Sequence, residues 1–329
     1  KFRAKNRTGA AYYMDQLELQ KFNVTDINRA LRSVPGVSIY EEDGMGLRPN
    51  ISLRGTSPER SAKITLMEDG VLIAPAPYSA SAAYYFPTIA RMQAVEILKG
   101  SSQIQYGPYT TGGAINLVSK IIPQENNTQL LAQYGAFNSK LFNLSHGATK
   151  GKWGYLADYT RYDSDGFKTL PNGGNTGFDK QDFVGKIKYS DLLLGVPQSF
   201  EFKYQYSDET SNETYLGLTD QDFSEDAFQR YTASEKDQMN NLHRQFMFTH
   251  TLKFSDYSSL TTTAYQNEFA RNWYKLDYLE IDGQKMSLTN ILTNPVQYSE
   301  AFDRITGSED SREADLFVKA NNRAYLSKG

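Results

Sequence analysis

In "FEFKYQY", Phe200, Phe202, Tyr204 and Tyr206 alternate with Glu201, Lys203 and Gln205. A period of two places alternate side chains on opposite faces of a β-strand, so one face here is aromatic and the other charged. The pattern recurs. "FVGKIKY" sets Phe183, Ile187 and Tyr189 opposite Lys186 and Lys188, and "WGYLADYTRY" puts Trp153, Tyr155, Ala157 and Tyr159 on one side. "TQLLAQYG", "KLFNLSHG" and "QFMFTHTLKF" read as further strands; "SLTTTAYQNEF" and "ADLFVKANNRAYL" read as two more with blurred alternation. That makes about eight strands of roughly ten residues, the length that crosses a bilayer when tilted. Short turns (Ala136 to Ser139, Asp256 to Ser258) contrast with long polar loops at 163–181, 207–241 and 270–313. Short turns at one end and long loops at the other are the asymmetry of a membrane β-barrel. A soluble β-sandwich with aromatic strands shares the alternation, but not the combination of regular length, aromatic face and loop asymmetry.

Composition agrees with strands rather than helices as the spanning elements. The mean hydropathy is −0.58, and no apolar run approaches the roughly 20 residues of a membrane helix. Alternation averages hydropathy out, so this does not argue against a membrane. Aromatic residues make up 13%, with 23 Tyr against 2 Trp, which is heavy for a soluble enzyme. A net charge of −3 leaves no electrostatic footprint for nucleic acid. The absence of cysteine removes disulfides, zinc–thiolate sites and thiol nucleophiles. The chain opens at Lys1-Phe2-Arg3 with no signal peptide, which reads as a mature or incomplete start.

Before about residue 123 the pattern is a compact α+β unit. "VTDINRALRSVPG" predicts a short helix capped by Thr25, with Ile27, Ala30, Leu31 and Val34 on one face and Pro35-Gly36 at its end. "NISLRG" predicts a strand, and "KITLMEDGVLI" predicts a hairpin turning at Asp69-Gly70. "PTIARM" predicts a helical turn opened by Pro87, and "AVEIL" and "AINLV" predict two more strands.

Between those last two strands lies "EILKGSSQIQYGPYTTGGAINLVSK", residues 96–120. A phosphate cradle needs a glycine turn leading into a helix, with Lys-Ser/Thr for a P-loop; Gly112-Gly113 lead into a strand instead. "GMGLRP" at 44–49 runs into Pro49 and a strand. "DSDGF" at 163–167 hints at a calcium loop, but its twelfth position is Gly174 rather than an acid. His146, His243 and His250 are scattered and read as strand residues rather than metal ligands. No Ser/His/Asp set has a nucleophile's spacing. The sequence asks for no enzyme, metal or cofactor.

"VEILKGSSQIQYGPYTTGGAINLVSK" resembles the closing segment of the plug domain of TonB-dependent outer-membrane receptors. "DINRALRSVPGV", "ISLRG" and "ITLMEDGV" continue the likeness in the family's order over residues 22–120. "GLRPNISLRG", "APAPY" and "TYLGLTD" (214–220) are similar to the ferric-dicitrate receptor branch. The resemblance implies a membrane β-barrel of about 22 antiparallel strands with an N-terminal α+β plug in its lumen. Residues 1–123 would be the plug and 124–329 the N-terminal part of the barrel. About eight strands would close on their own side chains with no room for a plug. The chain therefore reads as the N-terminal portion of a receptor, with a TonB-binding box before Lys1.

The function implied is TonB-dependent import of a ferric chelate, a ferric citrate-like siderophore, across the cell outer membrane. Implied partners are the chelate, TonB of the inner-membrane energy complex and outer-membrane lipid, with no nucleic acid. The plug would be accessible from the periplasm. By the same resemblance, loops 56–62 and 76–86 face the substrate, through Arg60, Tyr78, Ser79, Ser81, Tyr84 and Tyr85. The branch places glutamines where this chain has Ala80 and Ala82, so citrate itself is not implied. Arg54, Glu96 and Lys99, at the "LRG" and "EILKG" strand ends, would lock the plug, Arg54 and Lys99 pairing with barrel glutamates. Two other readings stay open: a non-energised outer-membrane barrel or surface recognition protein, and a soluble carbohydrate-binding β-protein.

Overall fold

The computed structural model describes residues 10–21, 25–73, 85–100, 103, 106 and 111–308, and the backbone of 315–328. Two sheets of opposite character divide these residues.

The first is a five-stranded sheet of β1 (Ala10–Asp15), β4 (Ile64–Glu68), β5 (Val71–Leu72), β6 (Met92–Lys99) and β7 (Gly113–Ser119), in the order β1-β6-β7-β4-β5. Only β4 and β7 pair in parallel. Beside it stand a hairpin of β2 (Val37–Tyr40) and β3 (Asn50–Leu53) and two short helices, α1 (Gln16–Lys21) and α2 (Ile27–Arg32). Apolar side chains of these elements, such as Leu31, Ile51, Leu53, Ile64, Leu66, Val95, Ile97 and Ile115, form one core. The predicted face of α2 is buried as expected. Its cap is Asp26 rather than Thr25: the Asp26 carboxylate accepts the Asn28 N–H at 2.8 Å, satisfying one of the orphan donors of the first turn. β1 and α1 were not legible as elements; β1 gains its identity by pairing with β6.

The glycine-rich segment owes its composition to close packing. A Cβ on Gly113, whose φ is +155°, would lie 2.3 Å from Leu53 Cδ1 and 2.6 Å from the Leu98 carbonyl oxygen. Tyr106 packs against the cluster of Met67, Leu98 and Ala114.

The second sheet is an antiparallel meander: β8 (Asn127–Tyr134), β9 (Lys140–Lys150), β10 (Trp153–Ser164), β11 (Phe178–Leu193), β12 (Val196–Ser211), β13 (Gln238–Lys253) and β14 (Ser259–Ile281). β14 then pairs with a short β15 (Gln284–Ser287) and with β16 (Asp315–Lys328). The strands are longer than expected. β14 runs to Ile281, so the expected 270–313 loop begins only after it. The other two loops shrink to 165–177 and 212–237. One turn also changes ends. Ala136–Ser139 lies with the long loops, since the Asp165 N–H donates to the Phe137 carbonyl at 3.0 Å, whereas Asp256–Ser258 lies at the opposite end with the tight turns at 151–152 and 194–195.

The alternation read from the sequence has its polarity inverted relative to a soluble sheet. Phe183, Ile187, Phe202, Phe246 and Phe248 are exposed, while Lys180, Asp182, Lys186, Lys203, Gln205 and Glu209 are buried. Among the described residues no helix is long and apolar enough to cross a membrane.

The long loops carry a small core of their own. α3 (Asp220–Glu225), α4 (Leu288–Thr293) and α5 (Ser299–Thr306) belong to them. Leu216, Tyr231, Leu279, Ile291, Ala301 and Ile305 are buried together above the sheet.

Candidate functional site: the plug–wall interface and the mouth

The β4–β5 turn brings two carboxylates to the charged face of the wall. Arg91, in the helical turn before β6, grips Glu68 through both carboxylate oxygens (Nη1 to Oε1 at 2.7 Å, Nη2 to Oε2 at 2.8 Å). Its Nε reaches Asp182 of β11 at 3.2 Å. Lys203 of β12 donates to Glu68 at 2.6 Å and to Asp69 at 2.7 Å. Lys186 of β11 donates to Ser119 Oγ and the Lys120 carbonyl, both at 2.8 Å, and lies 3.8 Å from Asp69. The three carboxylates thus meet three cations in a site that is buried except for a partly exposed Asp69, and the charges balance. Burial by itself would raise the Glu68 carboxyl; the Arg91 and Lys203 charges override it and hold the group down to about 2. Asp69 is likewise held well below the ordinary carboxylate range, against burial, by Lys186 and Lys203. Burial would lower the Arg91 guanidinium, yet Glu68 holds it well above its ordinary value.

A second cluster lies nearer the long-loop end. Arg48 donates to Glu209 of β12, whose other oxygen is 3.1 Å from Lys180 of β11. Arg48 belongs to the β2–β3 connection, where the Asp43 carboxylate collects the N–H groups of Met45, Leu47 and Arg48 at 2.5, 3.2 and 2.6 Å. Gly44 makes this turn with a φ of +76°, and a Cβ there would lie 2.7 Å from the Phe167 ring of loop 165–177. The turn is therefore in contact with the mouth above it.

Loops 165–177 and 212–237 are tied to each other at that mouth: Thr169 N–H donates to the Phe228 carbonyl and Arg230 N–H to the Thr169 carbonyl, both at 2.8 Å. This brings Lys168 and Arg230 together. Lys168 donates to Thr214 Oγ1 at 2.7 Å, and Arg230 to the carbonyls of Ala227 and Gln229. Burial pushes the Lys168 ammonium down, and the Arg230 charge pushes it further; burial also lowers Arg230. Neither forms an ion pair among the described residues. Glu213 and Asp43 act on Lys168, and Asp226 on Arg230, without offsetting the effect of burial.

The residues expected from sequence fall in different places. Arg60 is exposed, with a φ of +52°, its N–H held by Asn50 Oδ1 at 2.8 Å. Tyr85 is buried, stacked on His243 of β13 at 4.1 Å, its hydroxyl taken up by Arg91 at 2.8 Å and Gln205 at 2.6 Å. That sets it in the plug–wall network rather than on an open surface. Tyr78, Ser79, Ser81 and Tyr84 lie outside the described residues. Arg54 and Lys99 do come together at neighbouring strand ends: Arg54 Nη2 would be 3.1 Å from a Cβ on Gly100, and burial, then the Arg54 charge, lowers the Lys99 ammonium. Lys99 donates to the Pro35 carbonyl, and Glu96 accepts from Asn116 at 2.9 Å. These bonds are internal to the first sheet's unit; among the described residues none of the three pairs with the wall.

Sequence reasoning missed the groups that do pair, Arg48, Glu68, Asp69 and Arg91. Their signal was present in part. Lys186 and Lys203 stand opposite the aromatic face, so they point inward and require carboxylates there.

Residues 3–114 match the family described as TonB-dependent receptor plug domain. The chain is similar to the ferric citrate transporter FecA in its unliganded form (22% identity, TM-score 0.69, covering 82% of this chain and 41% of that one). It is also similar to the ferric yersiniabactin uptake receptor FyuA of Yersinia pestis (18%, 0.68, 84% and 43%). A third is the ferric-catecholate import receptor Fiu of E. coli K12 in an open form (12%, 0.65, 98% and 45%). These proteins are transporters and receptors rather than enzymes. They differ in chelate, so the likeness shows the fold and singles out none of them. The chain spans less than half the length of each of the three. Residues 3–114 are thus a TonB-dependent receptor plug domain, and the sheet that follows is part of the barrel wall that such receptors share.

Proposed function

We propose that the chain is the plug (residues 1–123) and the first part of the barrel (124–329) of an outer-membrane receptor. In this reading it binds an anionic ferric chelate from outside and imports it through TonB-driven rearrangement of the plug. The observation that supports this reading is the pair Lys168 and Arg230, half-buried at the mouth and held below their ordinary values by burial, although Glu213, Asp43 and Asp226 lie near enough to act on them. A chelate that presents carboxylates or other anionic oxygens would relieve the repulsion between the two cations, and a guanidinium grips such groups in a fork. Arg60, exposed on the plug, would add a third cation. The same contacts supply a route inward. Phe167 neighbours Lys168 and presses on Gly44, and the turn that begins there carries Arg48, which holds Glu209 of the wall. Movement of the loop on binding would therefore be felt at a plug–wall ion pair.

The test is titration of the full-length receptor with ferric citrate, followed by quenching of intrinsic fluorescence. Lys168→Gln and Arg230→Gln are each expected to weaken binding roughly tenfold, the loss of one charge-assisted contact, and Arg60→Ala to weaken it less. Affinities equal to wild type in both loop variants, for ferric citrate and for an anionic catecholate chelate alike, would overturn the assignment of the site.

A further inference from the structure

We infer that the outer wall of the barrel carries a saccharide-binding cleft at its long-loop rim, separate from the import route. The cleft has a volume of about 380 Å³ and is walled by Asn212, Gln238, Asn240, Asn272, Tyr274 and the 235–237 segment. It faces away from the lumen. Gln238 and Asn240 alternate with buried Met239 and Asn241, and they share the face of β13 that bears exposed Phe246 and Phe248. A molecule bound there cannot pass to the plug.

The cleft is built from oriented amides. Asn212 Nδ2 donates to Asn175 Oδ1 at 3.2 Å, and Asn212 Oδ1 accepts from Gln238 Nε2 at 3.0 Å. Gln238 Oε1 accepts from Asn240 Nδ2 at 3.1 Å, and Asn240 Oδ1 accepts from Thr210 Oγ1 at 2.7 Å. Each amide in this chain keeps an N–H and an oxygen lone pair for a ligand, and the chain fixes their directions beforehand, which lowers the ordering cost of binding.

The chemistry of the lining selects the ligand. Asp237 is turned away, its carboxylate accepting the N–H groups of Tyr215 and Leu276 at 3.1 and 3.2 Å. Glu235 and Lys236 carry opposite charges, and among the described residues no aliphatic side chain lines the cleft. A neutral, polyhydroxylated molecule fits such a surface: paired hydroxyls meet amides that donate and accept side by side, and the Tyr274 ring offers a face to sugar C–H groups.

The height is right for a membrane glycan. From Phe246 to Asn240 the strand climbs about 20 Å along its axis, roughly 15 Å in the vertical at barrel tilt. Arg244, two residues above Phe246, is the first exposed charge on this face, so the apolar band ends there and Asn240 stands about 10 Å higher, at the level of sugars carried by outer-leaflet lipid. The sugar could equally come from a soluble oligosaccharide, and the experiment has an arm for each source.

The full-length receptor in detergent would be examined by saturation-transfer NMR with the core oligosaccharide released from lipopolysaccharide by mild acid. Intact lipopolysaccharide retained through purification would be counted by native mass spectrometry. Transfer to sugar ring protons is expected, falling roughly tenfold in the Gln238→Leu/Asn240→Leu double variant, the loss of two neutral hydrogen-bonding groups. Tyr274→Ala serves as a second variant, and the heat-modified gel mobility of each confirms folding. Retention of intact lipid together with transfer assigns the source to the membrane; transfer without retention assigns it to a soluble glycan. Absence of both from wild type, or equal signals in the folded variants, would overturn the cleft. Ferric citrate titration should be unchanged in both variants, so this outcome is independent of the import reading.

Discussion

The plug and the wall obey opposite rules of burial. In the plug, Ile51, Leu66, Ile97 and Ile115 are fully enclosed, as in any soluble domain. In the wall, Phe202 and Phe248 are 45% and 44% exposed, while Lys203 and Gln205 are 0% exposed. One chain satisfies both rules only if the outer side of the wall meets hydrocarbon and the inner side meets a polar body. The plug supplies that body, and Glu68, Asp69 and Arg48 supply the charges that make it polar where the lysines and Glu209 of the wall require it. The lesson is that wall and plug are one electrostatic unit: neither surface is stable with its charges unanswered.

The largest expected effect comes from breaking that unit on one side. Glu68→Ala in the full-length receptor would leave the buried cluster one carboxylate short, with Arg91 held only by Asp182 and Lys203 only by Asp69, at up to about 3–5 kcal/mol. The plug should loosen while the barrel remains intact. Sensitivity to large antibiotics is expected to rise sharply, with gel mobility of the unheated barrel unchanged. Glu68→Gln should be milder, since it keeps an acceptor for Arg91. Wild-type antibiotic exclusion in Glu68→Ala would show that the cluster does not seat the plug.

The second prediction addresses the lipid side. Phe202→Lys would place a charge on the outward aromatic band, at about 2–4 kcal/mol near the bilayer midplane, whereas Phe202→Leu should cost less than about 1.5 kcal/mol. Denaturant titration in lipid vesicles measures both. If Phe202→Lys is neutral, the aromatic face does not meet hydrocarbon, and a soluble sheet becomes the better description.

The two regions also differ in how much their sequence disclosed. The wall was legible because its signal is local: alternation in "FEFKYQY" and "WGYLADYTRY" alone assigns the faces. Its ends were not. Residues 270–281 are polar and blurred, yet they belong to β14, because pairing with β13, β15 and β16 continues past the bilayer and satisfies their backbone. Nor can spacing tell which end of a barrel a short turn occupies, so Ala136–Ser139 was grouped with the wrong partners. In the plug, α2 and the Asp69-Gly70 hairpin carry local signals, whereas β1 depends on a strand about 80 residues away in sequence. The site was least legible of all. Lys168 and Arg230 look like ordinary loop charges until Thr169 and Phe228 bring them together, and the pairs Arg48–Glu209 and Glu68–Lys203 join residues with no sequence relation.

The smallest and most local prediction concerns the folded loops, where the plug's rule of burial reappears outside the wall. Asp237 ends loop 212–237, and its carboxylate accepts two backbone N–H groups, one from Tyr215 and one from Leu276. Burial raises this carboxyl from its ordinary 3.8 to about 6; the two N–H groups oppose the rise without cancelling it. A carboxyl raised in the fold is protonated there at a pH where the unfolded chain has already released its proton. Its stabilisation is complete below about 4 and declines as pH rises through about 6. The loop core around Tyr231, Leu279 and Ile305 should therefore be tighter at pH 4.5 than at pH 7. Hydrogen–deuterium exchange of the amides at 213–218 and 275–279, corrected for intrinsic rates, should show protection falling across that interval. Asp237→Asn, a neutral isostere of the protonated carboxyl, should abolish the dependence and keep protection at pH 4.5 close to that of the wild type. A wild-type exchange profile that does not change with pH would place Asp237 in a wetter site than its backbone bonds imply. The loops would then depend on the sheet beneath them rather than on a core of their own.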